Sequence, residues 1–195
     1  MTRAFSATGL ALTATFVGII AALGLVPALA VPGVAVPVTL QTLGVMLAGS
    51  VLGRWRGGAA VLVFLLLVAV GLPLLAGGRG GLGVFFGPSV GFLVGFPVAA
   101  YVIGWLSERL GTGRSLARQI AANVLGGIVV LYVFGVVGMA LVLHLSAAQA
   151  ATAALVFLPG DVIKAVLAAV VARGVHQAVP GLLPEVRADR EPVRV

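Results

Sequence analysis

The sequence predicts an all-α integral membrane protein, a bundle of six transmembrane helices, and three observations carry that prediction. The chain is 61% hydrophobic and only 9% charged, with a mean hydropathy of +1.23, too little polar surface to coat a water-soluble globule. Its apolar residues fall in six runs, at about 5–24, 38–53, 57–72, 88–107, 117–143 and 149–173, comparable to the roughly 20 helical residues that cross a hydrocarbon core about 30 Å thick. All basic residues except Arg79 and Lys164 fall on one side of the alternation those runs create.

Taken in order, Arg3 precedes the first run, whose apolar stretch Leu10 to Leu25 leads into further spans rather than a cleavage site, so it is read as a retained helix. Arg54 and Arg56 separate the second run from the third. Arg109, Arg114 and Arg118 separate the fourth from the fifth, and Arg173, Arg187, Arg190 and Arg194 follow the sixth. By the positive-inside rule these gaps are cytoplasmic, as are both termini, and the protein is a multi-pass resident of the cell membrane. The expected organisation is a single transmembrane domain over 1–179 and a cytoplasmic tail over 180–195. The net charge of +7 is then a topology signal in a chain whose surroundings are the lipid bilayer, and nucleic acid is not an expected partner. Three loops face outward. The first carries Pro27, Pro32 and Pro37, the second the run Gly77-Gly78-Arg79-Gly80-Gly81-Leu82-Gly83, and the third is short, near His144. Proline fixes φ and glycine permits positive φ, so the first two can fold back over a pocket.

Away from the ends of the apolar runs the acidic and basic side chains are Asp161 and Lys164, the latter the only lysine in the protein. At i, i+3 they share a helix face. An ionisable group at membrane depth costs about 2.5–3.5 kcal/mol on insertion scales and belongs in the bundle interior or a wet cavity. The plain alternative is an ion pair that pins helix packing. Pro159-Gly160 just before the pair marks a start or break, where a helix N-terminus would present free N–H groups to a ligand. If the sixth helix starts at Pro159, residues 147–158 form a separate outer element and Asp161 becomes an N-terminal cap. With Arg173 at the inner interface, twelve residues or about 18 Å of helix place the pair in the outer half of the membrane.

Other chemistries find no support. There is no cysteine, hence no disulfide, thiolate site or thiol nucleophile. Gly78 to Gly83 spells G-x-G-x-x-G, but after a membrane span and without a βαβ unit. The lone lysine follows Ile163, so there is no phosphate-cradling Gly-Lys pair and ATP energy must come from a partner. His144 and His176 lie on opposite sides and offer no metal spacing. No nucleophile elbow accompanies them, so no enzyme, cofactor or metal is expected. Small residues recur at three- or four-residue steps in the fifth run (Gly126, Gly127, Gly135, Gly138) and the first (Ala7, Ala11, Gly18, Ala22). Such stripes let helices approach closely in lipid. Packing is the expected role in the fifth; in the first, packing and a docking face for another subunit both fit.

Three segments together resemble the BioY family, the biotin-specific S components of energy-coupling-factor (ECF) transporters. They are Pro37-Val38-Thr39-Leu40-Gln41-Thr42-Leu43; Gly77-Gly78-Arg79-Gly80-Gly81 leading to Gly87-Pro88-Ser89-Val90-Gly91-Phe92-Leu93-Val94-Gly95-Phe96; and Pro159-Gly160-Asp161-Val162-Ile163-Lys164. The second departs from the family's more usual Gly-Pro-Thr-Gly-Gly-Tyr, with Ser89, Val90 and Phe92 for Thr, Gly and Tyr, which removes a hydroxyl. The resemblance implies a six-helix bundle of the S-component type, binding biotin in an outward pocket roofed by the first two outer loops. It also implies a transmembrane coupling subunit and two cytoplasmic ATPase subunits as partners. On this reading Asp161 accepts from the ureido N–H groups, and Lys164 donates to the ureido oxygen or pairs with the carboxylate. Gln41 and Thr39 add polar contacts, Phe86 and Phe92 line the thiophane ring, and backbone N–H groups near Gly81 serve the other polar end. Ala7 and Ala11 match the spacing by which S components dock on the coupling subunit. The alternative function is a stand-alone or ion-coupled transporter of biotin or another small vitamin, although no internal repeat supports two alternating halves.

Overall fold

The computed structural model describes residues 6–111 and 115–183. Arg3, Arg114 and the tail from residue 184 onward lie outside them. The described residues form helices α1 (Ala7–Gly24), α2 (Gln41–Ala69), α3 (Val90–Leu110), α4 (Leu116–Val124), α5 (Leu131–Leu143), α6 (Ala147–Ala154) and α7 (Leu158–Ala178). A π-helical segment, Leu125–Val130, joins α4 to α5, and a 3-10 turn, Leu155–Phe157, joins α6 to α7. Counted with those joints, five of the described helices are long and apolar enough to cross a membrane.

The bundle is apolar on its flanks as well as in its core, and a small set of polar side chains is gathered inside it. Val133, Leu141, Ile163 and Leu167 are exposed, whereas Gln41, Ser50, Ser107, Gln119, Asn123, Asp161 and Lys164 are buried. In lipid this is the stable arrangement, because an apolar flank costs nothing there and each polar group needs an internal partner.

The second and third expected runs meet inside α2 with no loop between them. Gly53 interrupts the helical backbone there with φ 79° and ψ 179°, a conformation open essentially to glycine alone. The chain folds back at that point. Gly57 lies against Ala48, so that a Cβ on Gly57 would be 2.6 Å from the Ala48 carbonyl oxygen. In one straight helix those residues would stand about 13 Å apart along the axis. Beyond Ala69 the chain returns to the level of Gln41, whose side chain bonds the Leu74 carbonyl at 3.0 Å. The glycines of the fifth run do pack: Gly138 of α5 meets Gly91 of α3 so closely that neither site has room for a Cβ.

The sixth expected run, 149–173, is two helices. Ser146 caps α6 through a reciprocal capping box with Gln149, and Pro159 sits in the first turn of α7, where its missing N–H costs nothing. Two sequence expectations are corrected here. Asp161 lies in the first turn of α7 and is not its cap, since Phe157 holds that position. The helix start offers little free backbone either, because the 3-10 turn runs directly into it and the Leu158 N–H donates to the Leu155 carbonyl.

Candidate functional site

A cavity of about 620 Å³, including its open mouth, lies at one end of the bundle, a size suited to a vitamin-sized molecule. One wall is the first long loop, Val36 to Thr39, which pairs with its own earlier stretch through reciprocal backbone bonds between Leu29 and Val38 at 2.9 and 3.0 Å. A second wall is the tight turn from Leu75 to Arg79, closed by reciprocal backbone bonds of 3.0 and 3.2 Å, with Gly77 and Gly78 at φ 80° and 68°. Phe92, Leu93 and Phe96 of α3 form an apolar side together with Phe157, whose ring meets Phe92 edge-on at 5.6 Å. Asp161 and Lys164 of α7 supply the ionisable groups of the interior.

Asp161 and Lys164 are 3% and 5% exposed, so each depends on protein partners. Lys164 Nζ donates to Asp161 Oδ1 at 2.9 Å, to Thr42 Oγ1 at 2.9 Å and to the Thr39 carbonyl at 2.5 Å. Asp161 Oδ1 also accepts from the Thr42 hydroxyl at 3.1 Å, and Oδ2 from the Tyr132 hydroxyl at 2.9 Å. All three ammonium hydrogens are engaged, and the pair is neutral as a unit. Asp161 also sits in the first turn of α7, where the helix dipole favours a negative charge.

The sequence-predicted residues separate into two groups. Asp161, Lys164, Thr39, Gln41 and Phe92 line the cavity; Phe86 and Gly81 do not. Phe86 ends a 3-10 turn, Leu82–Phe86, that leaves its ring 80% exposed, and Val84 of the same turn faces the cavity instead. The Gly81 N–H already donates to the Val68 carbonyl at 2.7 Å, so it is not free for a ligand. Gln41 is a brace: its amide nitrogen donates to the Leu74 carbonyl and its oxygen accepts from the Ala76 N–H at 3.1 Å, fixing the turn that carries Arg79. Ala7 and Ala11 are exposed on α1, on the same flank as Gly18 and Ala22 and away from the cavity.

Sequence reasoning passed over Thr42, Tyr132 and Phe157, and gave Arg79 no role. Tyr132 had a signal. In Leu125 to Leu143 it carries the only hydroxyl, and a buried hydroxyl in lipid needs a partner. Its ring also packs edge-on to Phe92 at 6.3 Å, and its hydroxyl reaches the Asp161 carboxylate although position 92 lacks a hydroxyl.

Apolar flanks, buried ionisable groups and a ligand-sized cavity at one end fit a membrane transport protein with a binding pocket. The chain belongs to the BioY family, whose model matches residues 1–181. It is 52% identical over 184 residues to the biotin transporter BioY of Rhizobium etli, covering 92% of this chain and 98% of that one. It is 48% identical over 180 residues to the biotin transporter BioY of Rhodobacter capsulatus, covering 86% and 93%. The crystal structure of the S component for biotin from an ECF-type ABC transporter superposes with a TM-score of 0.86 at 30% identity, over 91% of this chain and 95% of that one.

Proposed function

We propose that the protein binds biotin in this cavity and mediates its uptake as the substrate-specific S component of an ECF transporter, with ATP hydrolysed by partner subunits. The observation that carries this reading is the Asp161–Lys164 pair bordering the cavity, in a chain of this family. A cyclic urea presents N–H donors beside a carbonyl acceptor, which matches a carboxylate beside an ammonium. Ligand N–H groups exchange for part of the shell around Asp161, and the ureido oxygen takes a Lys164 hydrogen now spent on Thr39 or Thr42. Phe92, Phe96 and Phe157 enclose the apolar bicyclic ring.

Six crossings follow if the two arms of α2, on either side of Gly53, are counted separately. Arg54, Arg56, Arg109 and Arg118 all lie near the end away from the cavity, where Arg54 bonds Glu108 at 3.2 Å and Arg56 reaches the Leu182 carbonyl. By the positive-inside rule this supports cytoplasmic termini and an outward-facing cavity. The transmembrane domain is 1–179.

Calorimetry with the purified protein tests the ligand assignment. Biotin binds the native protein tightly, and Asp161→Asn weakens it at least tenfold; unchanged affinity in that variant rejects the role given to Asp161. For assembly, the exposed Ala7 and Ala11 leave α1 a smooth flank on which a transmembrane coupling subunit, itself joined to two ATPase subunits, can dock. Replacing both by leucine abolishes co-purification with the coupling subunit while biotin binding persists. An intact complex would assign docking to another face.

A further inference from the structure

We infer that the crevice between the second arm of α2 and α3 holds an anionic phospholipid, with Arg109 and Arg118 on its headgroup and an acyl chain along the two helices. The lipid belongs to the leaflet at the end away from the cavity, the cytoplasmic one on the topology proposed above. The inference makes no use of the biotin assignment.

Trp55 and Trp105 are the two tryptophans of the protein, and both fall at this end, on neighbouring helices. Tyr101 stands between them. Its ring meets Trp55 edge-on at 5.2 Å, and it lies one turn from Trp105 on α3. The second arm of α2 lies against α3 at this level, where Gly58 backs onto Tyr101. Away from the aromatic residues both helices continue in exposed aliphatic side chains. Leu62 and Leu66 follow Trp55 by seven and eleven residues, and Val98 and Val94 precede Trp105 by the same steps. Those steps return to one face of a helix. Eleven residues span about 16 Å, close to one leaflet of a hydrocarbon core about 30 Å thick. Two stripes of that length, each ending in an indole, outline the track of a single acyl chain.

An aliphatic track accepts any lipid, and charge sets the choice of headgroup. Among the described residues Glu108 is the acid at this end, and it is already engaged. Its Oε2 lies 3.2 Å from Arg54 Nε, and its Oε1 accepts from the Arg54 backbone N–H at 2.8 Å. Arg109 has no acidic partner among the described residues. Its guanidinium lies over the Trp105 ring, 4.9 Å from the centroid, which holds the plane without spending its N–H groups. Arg118 Nη1 donates to the Leu110 carbonyl at 3.0 Å, so its charge comes to the same end of α3, next to Arg109. Both arginine side chains are exposed. Two cations above an aromatic belt match a phosphodiester with a net negative charge. A zwitterionic headgroup brings its own ammonium, which the same arginines repel.

The tryptophans make the test direct, because bromine on an acyl chain quenches the indoles it touches. The full chain is reconstituted in phosphatidylcholine vesicles containing a minor fraction of brominated lipid, either phosphatidylglycerol or phosphatidylcholine, and tryptophan fluorescence is read. The native protein is expected to favour the brominated phosphatidylglycerol by about 5- to 25-fold in relative association, about fivefold for each arginine. Arg109→Gln lowers that preference about fivefold, and adding Arg118→Gln removes the rest. Arg109→Lys keeps part of it. Arg56→Gln is the control for diffuse attraction to a basic surface: Arg56 bonds the Leu182 carbonyl instead, and its loss leaves the preference in place. Equal quenching by brominated phosphatidylcholine in every variant reports that the tryptophans still face lipid. A native protein quenched equally by both lipids overturns the inference. So does an Arg109→Gln variant that keeps the full preference, or an Arg56→Gln variant that loses as much as Arg109→Gln. No arm contains biotin, so failure here leaves the ligand assignment untouched, and failure of that assignment leaves this site untouched.

Discussion

Two polar clusters lie inside the same apolar bundle, eight residues or about 12 Å apart along the first arm of α2, and they are built from different materials. At the cavity, Thr42 joins Asp161, Lys164 and Tyr132 around an ion pair. Further along the bundle, Ser50 joins Gln119, Asn123 and Ser107, which carry no charge and are at most 1% exposed. Ser50 donates to Asn123 Oδ1 at 2.7 Å, Gln119 Nε2 to Ser50 at 2.9 Å, and Asn123 Nδ2 to the Ala165 carbonyl at 2.9 Å. Lys164 and Ala165 are adjacent, so one turn of α7 serves both clusters. Neutral amides and hydroxyls are enough to fix helix register, and they do so with a modest desolvation cost. A buried ion pair adds a large desolvation cost that well-packed apolar residues would avoid. Among the described residues the ion pair with both partners buried stands where the bundle opens into a cavity, which supports the ligand-binding role proposed for it.

The largest expected effect tests that distinction directly. Lys164→Ala leaves Asp161 buried without its counter-charge and costs about 3–5 kcal/mol of stability, along with biotin binding. Combining Asp161→Asn with Lys164→Met removes both charges and restores most of the stability, read as thermal unfolding in detergent, without restoring binding. If the double variant binds biotin like the native protein, the charged cluster is a packing device and the contrast between the two clusters collapses. A smaller effect is expected at the neutral cluster. Asn123→Leu removes the acceptor of the Ser50 hydroxyl proton and the side-chain donor to the Ala165 carbonyl, at about 1–3 kcal/mol, with biotin affinity changed less than about threefold because sites without shared partners act independently. A tenfold loss of affinity would mean that the two clusters act as one unit through α7.

The charged cluster was half legible in the sequence. Asp161 and Lys164 announce themselves because a charge in an apolar run needs a reason, and their spacing of three places them together. Thr42 and Tyr132 are ordinary membrane-helix residues, 119 and 29 positions from Asp161, and only the packing of α2 and α5 against α7 brings them to it. Phe86 and Phe92 looked equivalent as aromatics near a glycine-rich loop, yet a 3-10 turn aims one outward and a helix aims the other inward. Gln41 was recognised by its neighbours in the motif, and its work for the Arg79 turn rests on backbone atoms that no side-chain pattern encodes. In the fold, the apolar runs placed the helices well. The reversal at Gly53 was harder to locate, because Gly57 and Gly58 stand equally close to Arg54 and Arg56 in the sequence, and only the backbone dihedrals single out one glycine.

The smallest effect sharpens the boundary of the charged cluster. The Tyr132 hydroxyl donates to Asp161 Oδ2, while Thr42 and Lys164 occupy Oδ1, so Tyr132 alone governs the second oxygen of the carboxylate among its described partners. Tyr132→Phe preserves the edge-on ring packing against Phe92 and removes only that bond. If Tyr132 acts by holding the carboxylate at the angle the ureido N–H groups require, the variant remains as stable as the native protein to within about 1 kcal/mol and loses about fivefold in biotin affinity. An unchanged affinity would show that Oδ1 alone orients the carboxylate. A loss beyond a hundredfold would mean that the hydroxyl touches the ligand itself, since one neutral donor acting through a neighbouring group does not contribute that much. The ring shared with Phe92 would then be part of the binding surface, and the charged cluster would extend from α7 across the cavity to α5.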